Sequence, residues 1–336
     1  MTGAAAVLRG RTVAWPASVI PSRQNACLRV LEAVALGALL WAAHPCLPRA
    51  AMPPTWTGWS AHRASFLEAS TRSVFWLRAP TEGAVLIPGG TFDMGSTPEE
   101  LLAAAANCAL EPFGERCSVE MFSNELPRRR VFLGAYKMDR TEVTVEEYTR
   151  CVRLGACSPP RWLGARGRFD RPSLPISDVA WADARDYCQF VGARLPTEAE
   201  WENAARGAEG RRYPWGMLYN SGAANHGRFG AIPTDPSDGF GELAPVGALP
   251  SGRTPAGILD LAGNVSEWVA DRYAPSYRGL DTDRPTGPPK GRRRVVRGGD
   301  YMSAAPWLRG AARQGLPPAT RLPRIGFRCA QSLGGT

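Results

Sequence analysis

Glycine and proline are unusually frequent along this chain and are scattered over its whole length. The 336 residues include 36 glycines and 30 prolines, which is about a fifth of the chain against roughly an eighth in average usage. No glycine period or low-complexity tract accompanies them. Since both residues interrupt helices and strands and favour turns, this composition predicts a loop-rich globular fold and excludes a helix bundle.

The scarcity of histidine excludes several classes of enzyme. The chain contains only His44, His62 and His226. Three scattered histidines are too few for a multi-histidine metal centre or a Ser-His-Asp triad. With 44% hydrophobic residues, the chain is long enough for one large domain or two ordinary ones.

The positive charge is concentrated at the N-terminus. The formal net charge is +9, and the first 80 residues hold eight arginines against two acids. A second basic tract, residues 290–294, reads KGRRR and could contact phosphates. No aromatic residues or nucleic-acid motif accompany it, so we favour a solvated loop and expect no nucleic-acid partner.

An apolar segment in the N-terminal region indicates export. Residues 33–43 are uninterrupted apolar or glycine residues that follow Arg23 and Arg29. This pattern is typical of a secretory signal and is too short to span a bilayer. We therefore expect a periplasmic or extracellular protein without a transmembrane span. A buried helix in an N-terminal extension is the alternative, because the region preceding the segment is long for a signal.

Eight cysteines indicate disulfide bonds. Cys27 and Cys46 flank the apolar segment. The other six lie in the main part of the chain: Cys108, Cys117, Cys151, Cys157, Cys188 and Cys329. An even number of cysteines in an exported chain favours disulfides. Cys108 and Cys117 bracket one short turn, and Cys151 and Cys157 bracket another. The absence of a CxxC motif argues against a zinc ribbon or a thioredoxin-type redox site.

Local patterns predict short elements separated by turns. Residues 85–96 contain two apolar stretches around a Pro-Gly-Gly turn, which predicts a hairpin, and residues 131–138 alternate like a strand. Three helices are predicted from their N-caps: one from Thr144 through Val152, one from Ser177 or Asp178 to Gly192, and one after Thr197 with Glu200 completing a capping box.

Seven strings in order along the chain carry a family resemblance. They read IPGGTFDMGS, MDRTEVTVEEY, DVAWADARDYCQFVGARLPTEAEWENAARG, YPWG, GILDLAGNVSEW, VVRGGDY and IGFRCA. Over residues 85–331 the chain resembles the formylglycine-generating enzyme, or sulfatase-modifying factor, family. The resemblance implies an α+β, C-type-lectin-like fold with little regular secondary structure. It divides the chain into an extension (1–51), a connector (52–84), this domain (85–331) and a tail (332–336).

The resemblance also implies one long-range disulfide. Cys188 and Cys329 match two positions that are bonded in many relatives. Such a bond would close a loop of about 140 residues, for which loop-closure entropy gives a contribution of several kcal/mol. Two buried free thiols are the alternative.

Two loops carry oxygen-rich residues suited to calcium. Asp260 and Glu267 flank a glycine turn, and calcium takes about six to eight oxygen ligands from carboxylates and carbonyls. The resemblance implies a structural site formed by the side chains of Asp260 and Glu267 and the carbonyls of Gly263 and Val265. It implies a second site formed by the side chains of Asn225 and Asp238 and the carbonyls of His226 and Phe240. The alternative is that both loops are simple turns and Glu267 is a surface residue.

The catalytic positions of the family are altered. Copper-dependent members bind Cu(I) through two cysteines after the RGG turn and oxidise a sulfatase cysteine to formylglycine. By position, Ser303 and Leu308 stand where those cysteines belong, Asp300 replaces a serine and Ser266 replaces a tryptophan. A hydroxyl and a branched alkane do not bind Cu(I). We therefore expect no bound copper and no formylglycine formation by the known route, and we assign no catalytic residue.

Two functions of different classes fit this sequence. In the first, the chain is a binding module whose groove holds a peptide, protein or glycan. The residues expected in that groove are Asp300, Ser303, Trp307, Arg309 and Arg313. In the second, the chain is an enzyme of the family with changed chemistry that acts on an exported protein or a small molecule.

Overall fold

The computed structural model describes residues 83–163, 167–230, 234–280, 282 and 285–333. These residues fall within one compact unit, residues 68–336. The apolar segment 33–43, with Cys27 and Cys46, and almost all of the connector lie outside the described residues. Among the residues that are described, no helix is long and apolar enough to cross a membrane.

Short strands in three small sheets form the framework of the described residues. The strands are β1 (Ala84–Ile87), β2 (Gly90–Met94), β3 (Arg129–Leu133), β4 (Tyr136–Asp139), β5 (Ser266–Arg272), β6 (Arg294–Arg297), β7 (Arg313–Leu316), β8 (Ile325–Gly326) and β9 (Ala330–Ser332). The sheet orders are β1-β4-β9, β2-β3 and β7-β6-β5-β8. Long loops connect these strands, which agrees with the fold that the glycine and proline content predicts.

Threonine capping boxes determine where three of the helices begin. The α-helices are α1 (Pro98–Ala109), α2 (Val145–Arg153), α3 (Trp181–Phe190) and α4 (Glu198–Arg206). As predicted, α2 begins after Thr144, and the N-cap of α4 is Thr197. The Thr197 hydroxyl accepts from the Glu200 backbone N–H, and the Glu200 carboxylate accepts from the Thr197 backbone N–H. Helix α1 was not predicted, although Thr97 and Glu100 form the same capping box there.

The start of α3 corrects a prediction. Its N-cap is Ala180, and the Asp183 carboxylate accepts a hydrogen bond from the Ala180 backbone N–H at 2.7 Å. Neither Ser177 nor Asp178 caps the helix. Asp178 has a left-handed backbone conformation and forms an ion pair with Arg161, so its carboxylate is used in a tertiary contact.

The predicted hairpin over residues 85–96 is wrong in its pairing. Both strands form, but β1 pairs with β4 and β2 pairs with β3. The predicted strand 131–138 is likewise two strands, separated at residues 134–135. A Cβ on Gly89 would lie 2.9 Å from the Ala135 backbone nitrogen. The two short links therefore pack against each other, and each strand finds its partner at long range.

The four-stranded sheet lies between the two largest hydrophobic clusters. Trp268 and Val296 belong to one cluster, while their chain neighbours Val269 and Val295 belong to the other. Successive side chains of a strand point to opposite faces, so β5 and β6 are covered on both sides. This buried sheet is the rigid support from which the candidate site is built.

Every cysteine among the described residues is in a disulfide. The bonds are Cys108–Cys117, Cys151–Cys157 and Cys188–Cys329. The two local bonds and the long-range bond are therefore confirmed. Cys188 lies in α3 and Cys329 lies just before β9, and both are buried. This bond joins parts of the chain that are 141 residues apart in sequence.

Candidate functional site

A cleft opens where strand β6 ends. Gly298 and Gly299 follow the strand with φ angles of 93° and 69°, which glycine adopts without strain. A Cβ at Gly298 would lie 3.2 Å from the Trp201 ring, so close packing also favours glycine there. The turn directs the chain across the end of the sheet and forms one wall of a cavity of about 330 Å³.

Four of the five predicted groove residues line this cavity. Asp300, Ser303, Trp307 and Arg313 are among its lining side chains. Arg309 is not, because its buried guanidinium donates two hydrogen bonds, of 2.6 and 2.8 Å, to the Glu125 carboxylate. The structure thus places Arg309 in a buried ion pair behind the cleft.

Several lining residues were not predicted from the sequence. The additional cleft residues include Met121, Asn124, Arg228, Phe229, Met302, Gln314 and Arg324. They come from loops and strands far apart in the chain, so no single motif contains them. Phe229 packs against Trp307 with ring centroids 5.1 Å apart. The cleft therefore has an aromatic wall facing polar side chains.

The Asp300 carboxylate is fully engaged. One oxygen accepts from the Arg324 guanidinium at 2.7 Å and from the Ser266 hydroxyl at 3.1 Å. The other accepts from the Met302 backbone N–H and from the Ser303 hydroxyl, at 3.0 and 3.2 Å. A carboxylate ion-paired and hydrogen-bonded in this way is a poor general base, so nothing in this cluster activates Ser303 as a nucleophile.

Ser303 and Leu308 are brought together although they are separated in sequence. A Cβ at Gly299 would lie 3.1 Å from the Ser303 Cβ and 2.9 Å from the Leu308 Cδ2. Ser303 lines the cavity, whereas Leu308 is fully buried in a small hydrophobic cluster. Neither side chain supplies the soft sulfur ligand that Cu(I) requires.

A buried ion-pair network supports the floor of the cleft. The Arg313 guanidinium donates to both Glu198 oxygens, at 2.6 and 2.9 Å, and Arg297 bonds Glu202 at 2.5 Å. Burial alone would raise the pKa of Glu198, but the facing Arg313 and Arg297 guanidiniums outweigh it and lower that pKa. Three of the cleft arginines, Arg297, Arg313 and Arg324, are thus paired with carboxylates, and the fourth, Arg228, is paired with Asp235.

The first candidate calcium site contains a carboxylate that was not predicted from the sequence. Glu142 is completely buried, and neither of its carboxylate oxygens accepts a hydrogen bond from a donor group of the described residues. Burial, reinforced by the nearby carboxylate of the half-buried Asp260, raises the pKa of Glu142. Its place beside the apolar residues Val143 and Val145 indicates burial, but it does not indicate that Asp260 is near. A buried carboxylate beside a second carboxylate is expected to need a cation or a shared proton.

Glu267 is buried, which excludes the alternative that it is a surface residue. Its carboxylate accepts hydrogen bonds from the Arg328 guanidinium at 2.7 to 3.0 Å and from the Trp201 indole at 2.9 Å. Its charge is therefore already balanced by Arg328. Of the acidic residues at this site, Glu142 and Asp260 retain the least compensated charge.

The second candidate calcium site is assembled from two loops. The Asp238 carboxylate accepts from the backbone N–H groups of His226 and Phe240, at 2.7 and 2.8 Å. The Asn225 amide nitrogen donates to the Asn264 side chain and to the Glu242 carbonyl, while its amide oxygen is buried without a hydrogen-bond partner among the described residues. A buried oxygen of this kind is a suitable ligand for a hard cation.

A metal at either site would depend on more than carboxylates. Within the described parts of the chain, no group of three or more His, Cys, Asp and Glu side chains is arranged to hold a metal ion. Any cation would therefore need backbone carbonyl or amide oxygens as well, which is a donor mixture that Ca²⁺ accepts.

The fold and the cleft define a loop-rich α+β domain of a recognisable class. Residues 75–333 match the sulfatase-modifying factor enzyme 1-like domain, and the chain belongs to this family. It is 34% identical over 302 residues to the formylglycine-generating enzyme of Streptomyces coelicolor, covering 74% of this chain and 89% of that protein.

Similarity extends to a relative described as inactive and to a solved structure. The chain is 37% identical over 176 residues to the inactive Cα-formylglycine-generating enzyme 2 of Mus musculus, covering 50% of this chain and 52% of that protein. The solved structure of PvdO from Pseudomonas aeruginosa aligns with a TM-score of 0.58 and 25% identity, covering 74% of this chain and 94% of PvdO. The family likeness thus includes both active and inactive members and confirms the fold.

Proposed function

We propose that this protein is an exported member of the family that lacks the copper-binding oxidase site. It acts instead as a binding module, and calcium and disulfides stabilise its fold. The observation that carries this proposal is the pair Ser303 and Leu308, which lie together at the cleft without a sulfur ligand. The occupied Asp300 carboxylate offers no replacement base. Similarity to a relative that is described as inactive supports the same reading.

The cleft favours a peptide, protein or glycan as ligand. Its aromatic wall, Phe229 and Trp307, offers an apolar surface of two rings tilted by 33°. The exposed part of the Arg324 guanidinium offers hydrogen-bond donors. Aromatic rings next to fixed polar groups are common in sites of this kind. The three disulfides support export, because such bonds persist mainly in oxidising compartments.

The oxidase and binding-module readings make different predictions for a reaction test. When the purified protein is incubated with Cu(I), oxygen and a peptide that contains Cys-x-Pro-x-Arg, we expect none of the mass loss that aldehyde formation produces, because no thiolate lines the cleft among the described residues. Mass spectrometry of the peptide is the measurement. Aldehyde formation at the cysteine would contradict the proposal and favour an enzyme with altered chemistry.

Binding in the cleft is tested with arrays of peptides and glycans. We expect Trp307→Ala to weaken the binding of any array ligand by about tenfold or more, since buried aromatic residues dominate recognition. Phe132→Ala is the matched control, because Phe132 is an exposed aromatic residue on β3 that does not line the cleft. Equal losses in both variants would place the binding site elsewhere.

Removal of calcium is expected to destabilise the protein. A cation that binds only the folded state at 100 times its Kd adds about 2.7 kcal/mol, which corresponds to roughly 5 to 10 °C in Tm for a domain of this size. We therefore expect a drop of that order when EDTA replaces Ca²⁺. Differential scanning calorimetry is the measurement, with Ca²⁺ added back as the control.

The variant Glu142→Gln tests whether the Glu142 carboxylate takes part in the calcium site. In Ca²⁺ the variant is expected to be less stable than the wild type, because a ligand charge is lost. In EDTA the order should reverse, because the substitution removes a buried carboxylate that lies near the carboxylate of Asp260. If the two proteins differ in the same direction in both buffers, Glu142 does not take part in a calcium site.

A further inference from the structure

A second cavity, separate from the cleft, lies beside the other end of the same sheet. Its volume is about 520 Å³, and none of its lining residues lines the cleft. Its walls include Arg272 at the end of β5, Arg294 at the start of β6, and Thr197 at the N-cap of α4. A volume of this size is within the usual range for small-ligand sites.

The two arginines of this cavity have no carboxylate partner among the described residues. Arg272 donates to the Pro289 carbonyl at 3.0 Å, and Arg294 donates to the Ala270 carbonyl at 2.6 Å. The Arg294 guanidinium also lies over the Trp181 ring, 3.6 Å from its centroid. Both cations are therefore held in place by neutral groups, in contrast to the ion-paired arginines of the cleft.

The charges around the cavity are poorly balanced. Arg272 and Arg294 are paired residues of the neighbouring strands β5 and β6, so their side chains lie on the same face of the sheet. Partial burial and then the neighbouring Arg272 lower the pKa of Arg294. Among the described residues, Asp271 is the only acidic residue that lines the cavity. Burial raises the pKa of Asp271 to about 8, so this side chain is mostly neutral at pH 7.

We propose that this second cavity binds a multiply charged oxyanion, such as inorganic sulfate or a phosphate monoester, held by the guanidiniums of Arg272 and Arg294. Arginine presents paired N–H donors that match the oxygens of such groups. An anion would relieve the repulsion between the two cations. This site is independent of the cleft and of whatever ligand the cleft binds.

The residues of the basic tract 290–294 differ in burial and in whether they line the cavity. Lys290, Arg292 and Arg293 are exposed, as expected for a solvated loop, whereas Arg294 is partly buried and lines the cavity. Arg293 is therefore a matched control for Arg294: it is the preceding residue, carries the same charge and does not line the cavity.

The test is isothermal titration calorimetry of the full chain with inorganic sulfate at pH 7 and constant ionic strength. We expect saturable binding of one sulfate. Arg272→Gln and Arg294→Gln should each weaken it by about tenfold or more, the value of one charged hydrogen bond, whereas Arg293→Gln should leave it within about twofold of the wild type. Equal losses at positions 293 and 294, or no saturable binding, would overturn the proposal.

Two further measurements identify the anion and control for misfolded variants. Phosphate should also bind, and acetate, with a single charge, should bind much more weakly; acetate binding as tight as sulfate would overturn the assignment to multiply charged oxyanions. Arg294→Lys keeps the charge and should retain more affinity than Arg294→Gln. Both variants are expected to unfold at the wild-type Tm. If they do, an Arg294→Gln variant that binds like the wild type, or an Arg294→Lys variant that loses as much affinity as Arg294→Gln, contradicts the proposal.

The pH dependence supplies an independent readout. Asp271 ionises as the pH rises through about 8, so sulfate affinity is expected to fall between pH 7 and 9. The charged groups that face Asp271 are Glu198, Glu200, Arg194, Arg294 and Arg313, and none of them changes charge over this range. Asp271→Asn should abolish the fall in affinity. An equal fall in this variant would contradict the role of Asp271.

Discussion

The double substitution Ser303→Cys with Leu308→Cys is expected to create a Cu(I) site beside Gly299. A Cβ at Gly299 would lie 3.1 Å from the Ser303 Cβ and 2.9 Å from the Leu308 Cδ2, so two sulfurs placed at these positions are expected to be close enough to share one ion. Thiolates are the ligands that a soft monovalent copper ion prefers. Titration against a chromogenic Cu(I) chelator under anaerobic conditions measures the affinity.

The single variants are the controls for this experiment. Because two linked ligands bind cooperatively, the double variant should bind Cu(I) about a hundredfold or more tighter than either Ser303→Cys or Leu308→Cys alone. The wild type should show no competition with the chelator. A double variant that binds no better than the single variants would show that the two positions do not form a common site.

Removal of the disulfide between Cys188 and Cys329 is expected to cause the largest loss of stability among substitutions of the cysteines. The bond spans 141 residues, and loop-closure entropy for such a span corresponds to about 5 kcal/mol. Replacing both cysteines by alanine should therefore lower the free energy of unfolding by that order. Urea denaturation, followed by circular dichroism, is the measurement.

The short disulfide Cys151–Cys157 is the matched control. Its two cysteines are only 6 residues apart in sequence, and loop-closure entropy for this span corresponds to about 2 kcal/mol. Both bonds are buried, so the two double-alanine variants lose comparable packing. A loss at positions 151 and 157 as large as that at positions 188 and 329 would show that strain or packing, and not loop length, determines the contribution of these bonds.

Several features that depend on neighbouring residues in the sequence were predicted correctly. The capping boxes of Thr144 and Thr197 form because an N-cap hydroxyl and a glutamate three residues later satisfy each other locally. The two short disulfides also close local turns. The predicted hairpin was wrong because strand pairing is decided at long range: β1 pairs with β4 and β2 pairs with β3.

The cleft was predicted in part for the same reason. Ser303 and Trp307 follow one turn, so the family motif places them together. Arg309 was expected in the groove, but the structure pairs it with Glu125, which is 184 residues away in sequence. Similarly, Glu142 carries no local sign of its proximity to Asp260. Side chains from distant segments meet only when the loops pack, and the sequence motifs contain no record of that packing.

The sequence by itself predicted the family and the absence of cysteines at positions 303 and 308, because these depend on residue type at fixed positions in a motif. Its glycine and proline content predicted the loop-rich architecture, and the family resemblance implied the disulfide between Cys188 and Cys329. Only the tertiary structure decided which charges are balanced. It neutralises Arg313 and Arg297 with buried glutamates and leaves Arg272 and Arg294 facing a cavity without a carboxylate partner among the described residues. The physical reason is that the energy of a charge depends on its burial and its neighbours in space, which the order of residues along the chain does not specify.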